Sequence, residues 1–243
     1  MAAVCGSART GPLIALSPHS DDLAFSLGAA LCDGRLAGSR VVTIFSRSAY
    51  TPEQPHGEAS RTTALRMAED RRFFAHAPVA ELRWLGLLDA PLRRLGVSNV
   101  FAAPAEAGDI AAVRRALEPL LSPSACLLVP MALGGHLDHR VVREVACAVH
   151  AEGRCRLVFY EDLPYAGFMP LEAVGEAVFL LEERLRARLH PVDWPSHALA
   201  EAKQWAVTSY ASQVEGHLLA TLLAHGQRRG RRGVPAERVW CLS

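Results

Sequence analysis

The chain has 243 residues, half of them hydrophobic, and its 26 basic and 25 acidic residues give a formal net charge of +1. This length suffices for one large domain with a substantial core, and no linker or shift in composition divides it, so we expect a single domain over residues 1–243. The near-neutral charge excludes a global attraction to nucleic acid or anionic membranes, and no apolar run is long enough for a membrane span.

The N-terminal residues and the cysteines point to a cytoplasmic protein. The first residues lack the basic segment and the apolar stretch of a signal peptide. The six cysteines show neither a CxxC pair nor the spacing of a disulfide framework, so we expect them to be reduced. The sequence leaves a homo-oligomer open. For the basic run Arg228–Arg232 it leaves two alternatives, a solvated loop and a phosphate-binding tail.

Short apolar runs alternate with amphipathic segments along the chain. The runs that have the length and composition of strands are Leu13–Ser17, Arg40–Ser46, Glu81–Leu85, Ala125–Pro130 and Arg156–Glu161. The segments with helical periodicity are Asp22–Cys32, Glu58–His76, Asp109–Leu121 and His139–His150. This order is typical of βαβ units, so the sequence predicts an α/β fold: a mostly parallel sheet with helices on both faces.

Two clusters of His and Asp follow two of the predicted strands. The sequence PHSDD at 18–22 comes directly after the first strand, and GGHLDH at 134–139 comes after the fourth. In parallel α/β sheets, ligands bind beyond the carboxyl ends of the strands, at a switch point of the topology. We therefore expect the two clusters to form one site, although they lie far apart in the chain.

The residue types in the clusters indicate a catalytic metal centre. His19, Asp22 and His139 offer two imidazoles and one carboxylate, which leave coordination positions open, as in catalytic zinc sites. Zn²⁺ suits this donor set, and Fe²⁺ or Co²⁺ are substitutes that the sequence leaves open. An alternative set, His19-x-Asp21 with a distant histidine, matches the facial triad of iron(II) oxygenases. Those enzymes have antiparallel jelly-roll folds, so we favour hydrolysis.

The remaining polar residues of the clusters have chemical roles beside such a metal. Asp21 is next to a candidate ligand and can act as a general base. His136 can stabilise an oxyanion as an imidazolium, and Asp138 can orient the His136 ring. The alternatives are structural, since Asp21 or Asp22 can cap the following helix and the histidines can be satisfied by the backbone.

These residues resemble the signature motifs of the PIG-L / LmbE-like family of zinc-dependent de-N-acetylases. SPHSDDLAFSLGA at 17–29 resembles the P-H-x-D-D motif of the family and the helix after it. GGHLDHR at 134–140 resembles its H-x-D-H motif. Further similarity covers nearly the whole chain, in the segments Arg66–Glu69, Leu85–Asp89, Tyr160–Tyr165 and Lys203–Gln213.

The resemblance implies a Rossmann-like fold in which the cluster residues have the roles given above, with Asp21 also returning a proton to the departing amine. It further implies that Arg66 and Asp89 contact sugar hydroxyls, with surface or core ion pairs as the alternative. One departure from the family pattern is Gly134, where some members carry a tyrosine. Tyr165 is the candidate to replace that side chain.

The function that we expect is removal of an N-acetyl group from an amino-sugar small molecule of the GlcNAc type, such as a secondary-metabolite intermediate. An alternative is an amidase of a glucosaminyl-thiol conjugate with a larger acyl group. From another class, a non-catalytic Rossmann-like module would bind a nucleotide or nucleic acid, but no GxGxxG or P-loop pattern supports it. We expect the loops Ser48–Gly57 and Leu92–Gly108 to select the substrate.

Overall fold

The computed structural model describes residues 11–54, 57–94 and 100–243. Its described strands form one sheet and are Leu13–Ser17 (β1), Arg40–Thr43 (β2), Glu81–Trp84 (β3), Cys126–Pro130 (β4), Arg156–Tyr160 (β5), Leu189–Pro195 (β6) and Ala236–Leu242 (β7). The strand order is β3-β2-β1-β4-β5-β7-β6. From β3 to β5 all neighbours are parallel, and β7 is antiparallel to both β5 and β6.

Helices of varied length surround this sheet. In the described residues they are Asp22–Cys32 (α1), Ala59–Phe74 (α2), Ala90–Arg93 (α3), Ala107–Leu117 (α4), Leu137–Ala151 (α5), Tyr165–Phe168 (α6), Leu171–Leu185 (α7), Leu199–Ser209 (α8) and Leu218–Arg229 (α9). The predicted α/β fold with a mostly parallel sheet is therefore confirmed. The bounds of β1 and α1 are also those expected from the sequence.

The strands at the centre of the sheet are apolar throughout. Every residue of β1 (LIALS) and of β4 (CLLVP) is buried, as expected for parallel strands that are covered on both faces. The order of the strands reverses between these two neighbours, because β2 and β3 lie beyond β1 whereas β5 lies beyond β4. The loops after β1 and β4 therefore open together at the switch point, where the two His/Asp clusters are found.

β6 and β7 were not predicted from the sequence. The segment of β6, LHPVDWP, contains two prolines, which cannot donate to a strand ladder and argue against a central strand. The structure places β6 at the edge of the sheet, where proline is tolerated. The antiparallel β7 enters between β5 and β6 and does not continue the βαβ alternation on which the prediction was based.

The structure bears on membrane-spanning helices and on the state of the cysteines. Among the described helices, none is both long and apolar enough to cross a membrane. Among the described cysteines, Cys32, Cys147 and Cys155 are free thiols. Cys241 on β7 is disulfide-bonded, which differs from the fully reduced chain that we expected; Cys5 lies outside the described residues. The cytoplasmic location, the single domain and the oligomeric state stay predictions.

Candidate metal centre and catalytic site

The loop between β1 and α1 is fixed by short-range hydrogen bonds. Ser17 Oγ donates to the His19 carbonyl at 2.5 Å and accepts from Leu23 N at 3.2 Å. The His19 backbone N–H donates to Asp22 Oδ2 at 2.7 Å. These bonds tie the end of the strand to the first turn of the helix, so His19 and Asp22 point to the same place.

The loop after β4 brings the second cluster to that place. It turns through Gly134 and Gly135, whose φ values of 78° and 80° are in the left-handed region that favours glycine. His136 then caps α5, because its Nδ1 accepts a hydrogen bond from Asp138 N at 3.2 Å. His139 lies in the first turn of α5 and is completely buried.

The Asp22 carboxylate lies between two imidazoles. Its Oδ2 atom is 3.1 Å from His19 Nδ1 and 3.1 Å from His139 Nε2. The three expected ligands therefore lie together, with one carboxylate oxygen and two ring nitrogens in close proximity. Three ligand atoms about 2.0–2.1 Å from a tetrahedral zinc ion are about 3.3 Å apart, so these separations are close to those of a zinc site.

Each of the two imidazoles is also backed by a second, fully buried carboxylate. His19 Nε2 donates to Asp138 Oδ2 at 2.9 Å, and His139 Nδ1 donates to Asp162 Oδ2 at 3.2 Å. Such outer partners fix the ring and the tautomer of a metal-binding histidine. In each ring, the other nitrogen faces Asp22 and is the one available to a metal ion.

The role expected for Asp138 needs revision in the light of this geometry. We expected its carboxylate to orient His136, but that carboxylate contacts His19, the Ala90 N–H at 2.9 Å and Arg93 Nη2 at 2.6 Å. Asp138 reaches His136 through its backbone N–H. Its buried side chain therefore orients a candidate metal ligand and is itself held by an arginine.

The donor set fits a metal ion. His139 Nε2 is buried and lies 3.1 Å from Asp22 Oδ2, but the two atoms do not have the geometry of a hydrogen bond. A buried ring nitrogen without a hydrogen bond costs free energy unless a ligand satisfies it. Nitrogen atoms of His19, His136 and His139 also lie within 4.8 Å of one another. The geometry thus offers two sets, which share His19 and His139 and differ in Asp22 or His136 as the third ligand.

The electrostatics of the centre favour positive charge between the imidazoles and Asp22. Burial opposes a charge on His19 and His139, but the neighbouring carboxylates outweigh it and raise their pKa values to about 9 and about 10. Burial also opposes ionisation of Asp22, yet the two imidazoles hold its pKa well below the usual range. A divalent cation would supply the same positive charge at this point.

Asp21 lies next to this centre and faces a cavity. Burial raises the pKa of its carboxyl, and the positive charge of Arg66 opposes that shift. Arg66 Nη2 donates to Asp21 Oδ1 at 3.1 Å, and its side chain is almost entirely buried. Arg66 therefore forms the ion pair that we gave as the alternative to a sugar contact, and it also lines the cavity.

His136 differs from the other two histidines. Burial, followed by the charges of His19 and His139, holds its pKa well below the ordinary value, so the ring is neutral. Because Nδ1 accepts from Asp138 N, the ring proton is on Nε2. This geometry favours a neutral N–H donor toward an oxyanion, whereas we expected an imidazolium; the role of His136 stays a prediction.

A cavity of about 170 Å³ opens over these side chains. Its lining combines both clusters with residues from several other elements: His19, Asp21, Asp22, Phe25, Tyr50, Pro52, Arg66, Asp89, Pro91, His136, Pro164, Tyr165, Gln213, Glu215 and Leu218. Asp89 lines it while its Oδ1 atom accepts from Leu92 N and caps α3. Tyr50 and Pro52 come from the loop expected to select substrate; residues 55–56 and 95–99 of the two expected loops lie outside the described residues.

Two residues of the site had no assigned role or only a weak one in the sequence analysis. Asp162, which backs His139, is the second residue after β5, so it follows a strand end as the His/Asp clusters follow β1 and β4. This position after a strand end is the sequence signal that could have identified Asp162. Tyr165 occupies the space beside Gly134, where an added Cβ would be 2.7 Å from Tyr165 Cβ. A tyrosine at position 134 would therefore collide with Tyr165.

Comparisons with known proteins identify relatives of this chain. A family model described as PIG-L, GlcNAc-PI de-N-acetylase, matches residues 14–150. The 2'-N-acetylparomamine deacetylase of Streptomyces fradiae is 32% identical over 255 residues, which cover 96% of this chain and 90% of that protein. This level of identity along nearly the whole chain is well above what a shared fold alone requires.

Solved structures show the same fold. A deacetylase of teicoplanin biosynthesis superposes with a TM-score of 0.69 at 23% identity, over 96% of this chain and 99% of that one. The A40926 pseudoaglycone deacetylase gives a TM-score of 0.67 at 24% identity, over 97% and 98% of the two chains. The family match covers more than half of the chain and includes both His/Asp clusters. The chain therefore belongs to the PIG-L (GlcNAc-PI de-N-acetylase) family, as its two motifs predicted.

Proposed function

We propose that the chain is a metal-dependent hydrolase that removes an N-acetyl group from an amino-sugar small molecule and releases a free amine and acetate. The observation that carries this proposal is the Asp22 carboxylate between two carboxylate-backed imidazoles, with Asp21 beside it facing a cavity. The 32% identity to 2'-N-acetylparomamine deacetylase supports an N-acetylated amino sugar of a secondary metabolite as the substrate.

His19, Asp22 and His139 are the residues proposed to hold the metal. Zinc is the metal proposed for this set, with iron(II) or cobalt(II) as substitutes. When bound, the ion supplies Lewis acidity toward the acetyl carbonyl and lowers the pKa of a water molecule. Asp138 and Asp162 keep the two imidazoles oriented, so the donor atoms are in place before any ion binds.

Asp21 is proposed to move the proton of the reaction. Its carboxylate accepts a proton from the water that attacks the acetyl carbon, and later gives that proton to the nitrogen as the C–N bond breaks. One water is consumed, and the products are acetate and the protonated amine. Arg66 holds Asp21 toward the cavity through their hydrogen bond.

His136 is proposed to stabilise the oxyanion of the tetrahedral intermediate. A neutral Nε2–H donor aimed at the developing negative charge lowers the barrier without needing a change in protonation. The His136 ring is well placed for this, since it lines the cavity and packs 4.9 Å from the His19 ring. Arg66 and Asp89 line the same cavity and are proposed to contact substrate hydroxyls.

Acetate release tests this function. The zinc-loaded protein is incubated with N-acetylated amino sugars, including 2'-N-acetylparomamine and N-acetylglucosamine, and with a glucosaminyl conjugate of larger acyl group. Asp21→Asn is the main variant, because it keeps the shape of the side chain and removes its basicity. We expect a loss of about 10²–10⁴-fold in kcat, the usual contribution of a general base.

Asp33→Asn provides the matched control. Asp33 is exposed and lies at the C-terminal end of α1, whereas Asp21 and Asp22 lie at the N-terminal end. The proposal requires acetate from the wild type and from Asp33→Asn, and zinc still bound in Asp21→Asn. Full activity of Asp21→Asn would contradict its role as base. Hydrolysis of the larger conjugate alone would contradict the N-acetyl specificity.

A further inference from the structure

The loop between β5 and α6 links the metal centre to α9. Glu161 and Asp162 are neighbours just after β5, and their carboxylates bind different parts of the protein. The Asp162 carboxylate faces His139, whereas the Glu161 carboxylate faces the last turn of α9. A group that fixes Glu161 therefore also fixes the peptide that carries Asp162.

Glu161 is bound by a buried set of donors. Arg229 Nε and Nη2 each donate to one of its carboxylate oxygens at 2.9 Å, which is the bidentate arrangement of an arginine–carboxylate pair. His225 Nε2 contacts Oε2 at 2.8 Å, and Trp240 Nε1 donates to Oε1 at 3.0 Å. Both partners of the ion pair are buried, so this network has one well-defined arrangement.

The neighbouring arginine, Arg228, binds the helix that follows this loop. Arg228 Nη2 donates to the carbonyl of Gly167 at 2.8 Å and to that of Ala166 at 3.3 Å, close to the end of α6. α6 and α9 also approach closely, because a Cβ on Gly167 would collide with Thr221 Cγ2. Within the Arg228–Arg232 run, Arg229 is therefore buried, and Arg228 is exposed but bonds to the backbone of α6, whereas Arg232 is exposed.

We propose that Arg229 is a positioning residue of the metal centre, acting through Glu161 and the adjoining Asp162 on His139. This inference rests on the proposed function, since it takes His139 to be a metal ligand. Loss of an outer-shell partner typically weakens metal binding about 10–100-fold. Because Arg229 is one step farther away than Asp162, we expect Arg229→Met to weaken zinc binding about tenfold, at the lower end of that range.

The test measures zinc affinity by competition with a chromophoric chelator, at a temperature well below the unfolding transition of every variant. The variants are Arg229→Met, Asp162→Asn and the double variant. If Arg229 acts through Asp162, the two effects are not additive, and the double variant binds zinc like Asp162→Asn alone. Arg232→Gln, a change at an exposed arginine of the same run, should leave zinc affinity and turnover at wild-type levels.

Trp240→Phe is a second, less disruptive variant for the zinc-affinity measurement if Arg229→Met does not fold. It removes one donor to Glu161 and keeps an aromatic ring, so we expect zinc binding to weaken by about threefold, less than for an outer-shell partner. Unchanged zinc affinity in the folded variants, with only a lower melting temperature, would overturn the proposal, as would strictly additive effects. A wild type that binds no zinc at all would instead contradict the proposed function.

Discussion

Lys203 and Glu237 form a buried ion pair that is inserted into helix α1. Lys203 Nζ lies 2.5 Å from Glu237 Oε1 and also donates to the carbonyls of Phe25 and Ser26. The Glu237 carboxylate accepts from the N–H groups of Ala29 and Ala30. These are the donors and acceptors that an unbroken helix would pair with each other, and the helix is kinked between them at Leu27.

This ion pair should be a major contributor to stability, because removing one partner leaves a buried charge and unsatisfied backbone groups. We expect Lys203→Met to lower the free energy of unfolding by about 3–5 kcal/mol. Urea denaturation measures this change. The double variant Lys203→Met/Glu237→Gln, which leaves no buried charge, should lose less than the single variant. A larger loss in the double variant would contradict the account.

Arg66 should affect the chemical step more than substrate binding. Its guanidinium orients Asp21, and misplacing a reacting group by about 1 Å can cost about 10²-fold in rate. We therefore expect Arg66→Met to reduce kcat by about that factor, with a smaller change in KM. Steady-state kinetics separate the two parameters. If Arg66 served only as a contact to sugar hydroxyls, KM would rise at unchanged kcat.

Gly134 should resist substitution even by alanine. Its φ of 78° disfavours a side chain, and an added Cβ would lie 2.7 Å from Tyr165 Cβ. Gly134→Ala should therefore displace the Tyr165 wall of the cavity and lower kcat/KM at least about tenfold, since small displacements in a site are costly. Gly175→Ala in α7 is the matched control, because its Cβ would meet nothing within 4 Å. Equal kcat/KM in the two variants would count against this role.

Asp70 should make stability depend on pH. Burial, despite hydrogen bonds from Trp84 and Tyr210, raises its pKa from 3.8 to about 7. The folded state thus holds a proton that the unfolded chain has released, and this contribution to stability is lost as the pH rises from about 4 to about 7. Between pH 5.5 and pH 8 the loss is about 2 kcal/mol.

Asp70→Asn mimics the protonated acid and should abolish this part of the pH dependence. The test compares the free energy of unfolding of wild type and variant, by urea denaturation at pH 5.5 and pH 8. We expect the variant to gain stability relative to the wild type at the higher pH. Parallel pH profiles for the two proteins would show that Asp70 does not titrate in this range.

Much of the fold was predictable because its signals are local. The apolar run Leu13–Ser17 and the amphipathic helix after it need no long-range information, and the structure reproduces their bounds. β6 escaped prediction because the prolines in LHPVDWP argue against a strand unless its place at the sheet edge is known. That place depends on β7, which pairs with it from nearly fifty residues farther along the chain.

The site was predictable to the extent that its residues are close in sequence. The motifs around His19 and His139 revealed the candidate ligands, because the strand ends bring them together. The partner of each imidazole could not be predicted, since contacts such as those of Asp138 with His19 and Asp162 with His139 depend on side-chain orientation in three dimensions. The neutral state of His136 likewise depends on burial beside two other histidines.

The central claim is that His19, Asp22 and His139 hold the catalytic metal. Anomalous diffraction at the zinc edge, from crystals of the zinc-loaded protein, tests it most directly because it locates the ion. We predict one zinc per chain, bonded to Asp22 and both imidazoles at about 2.0–2.2 Å. Zinc held by His19, His136 and His139 with Asp22 outside the coordination shell, or zinc elsewhere in the chain, would contradict the account.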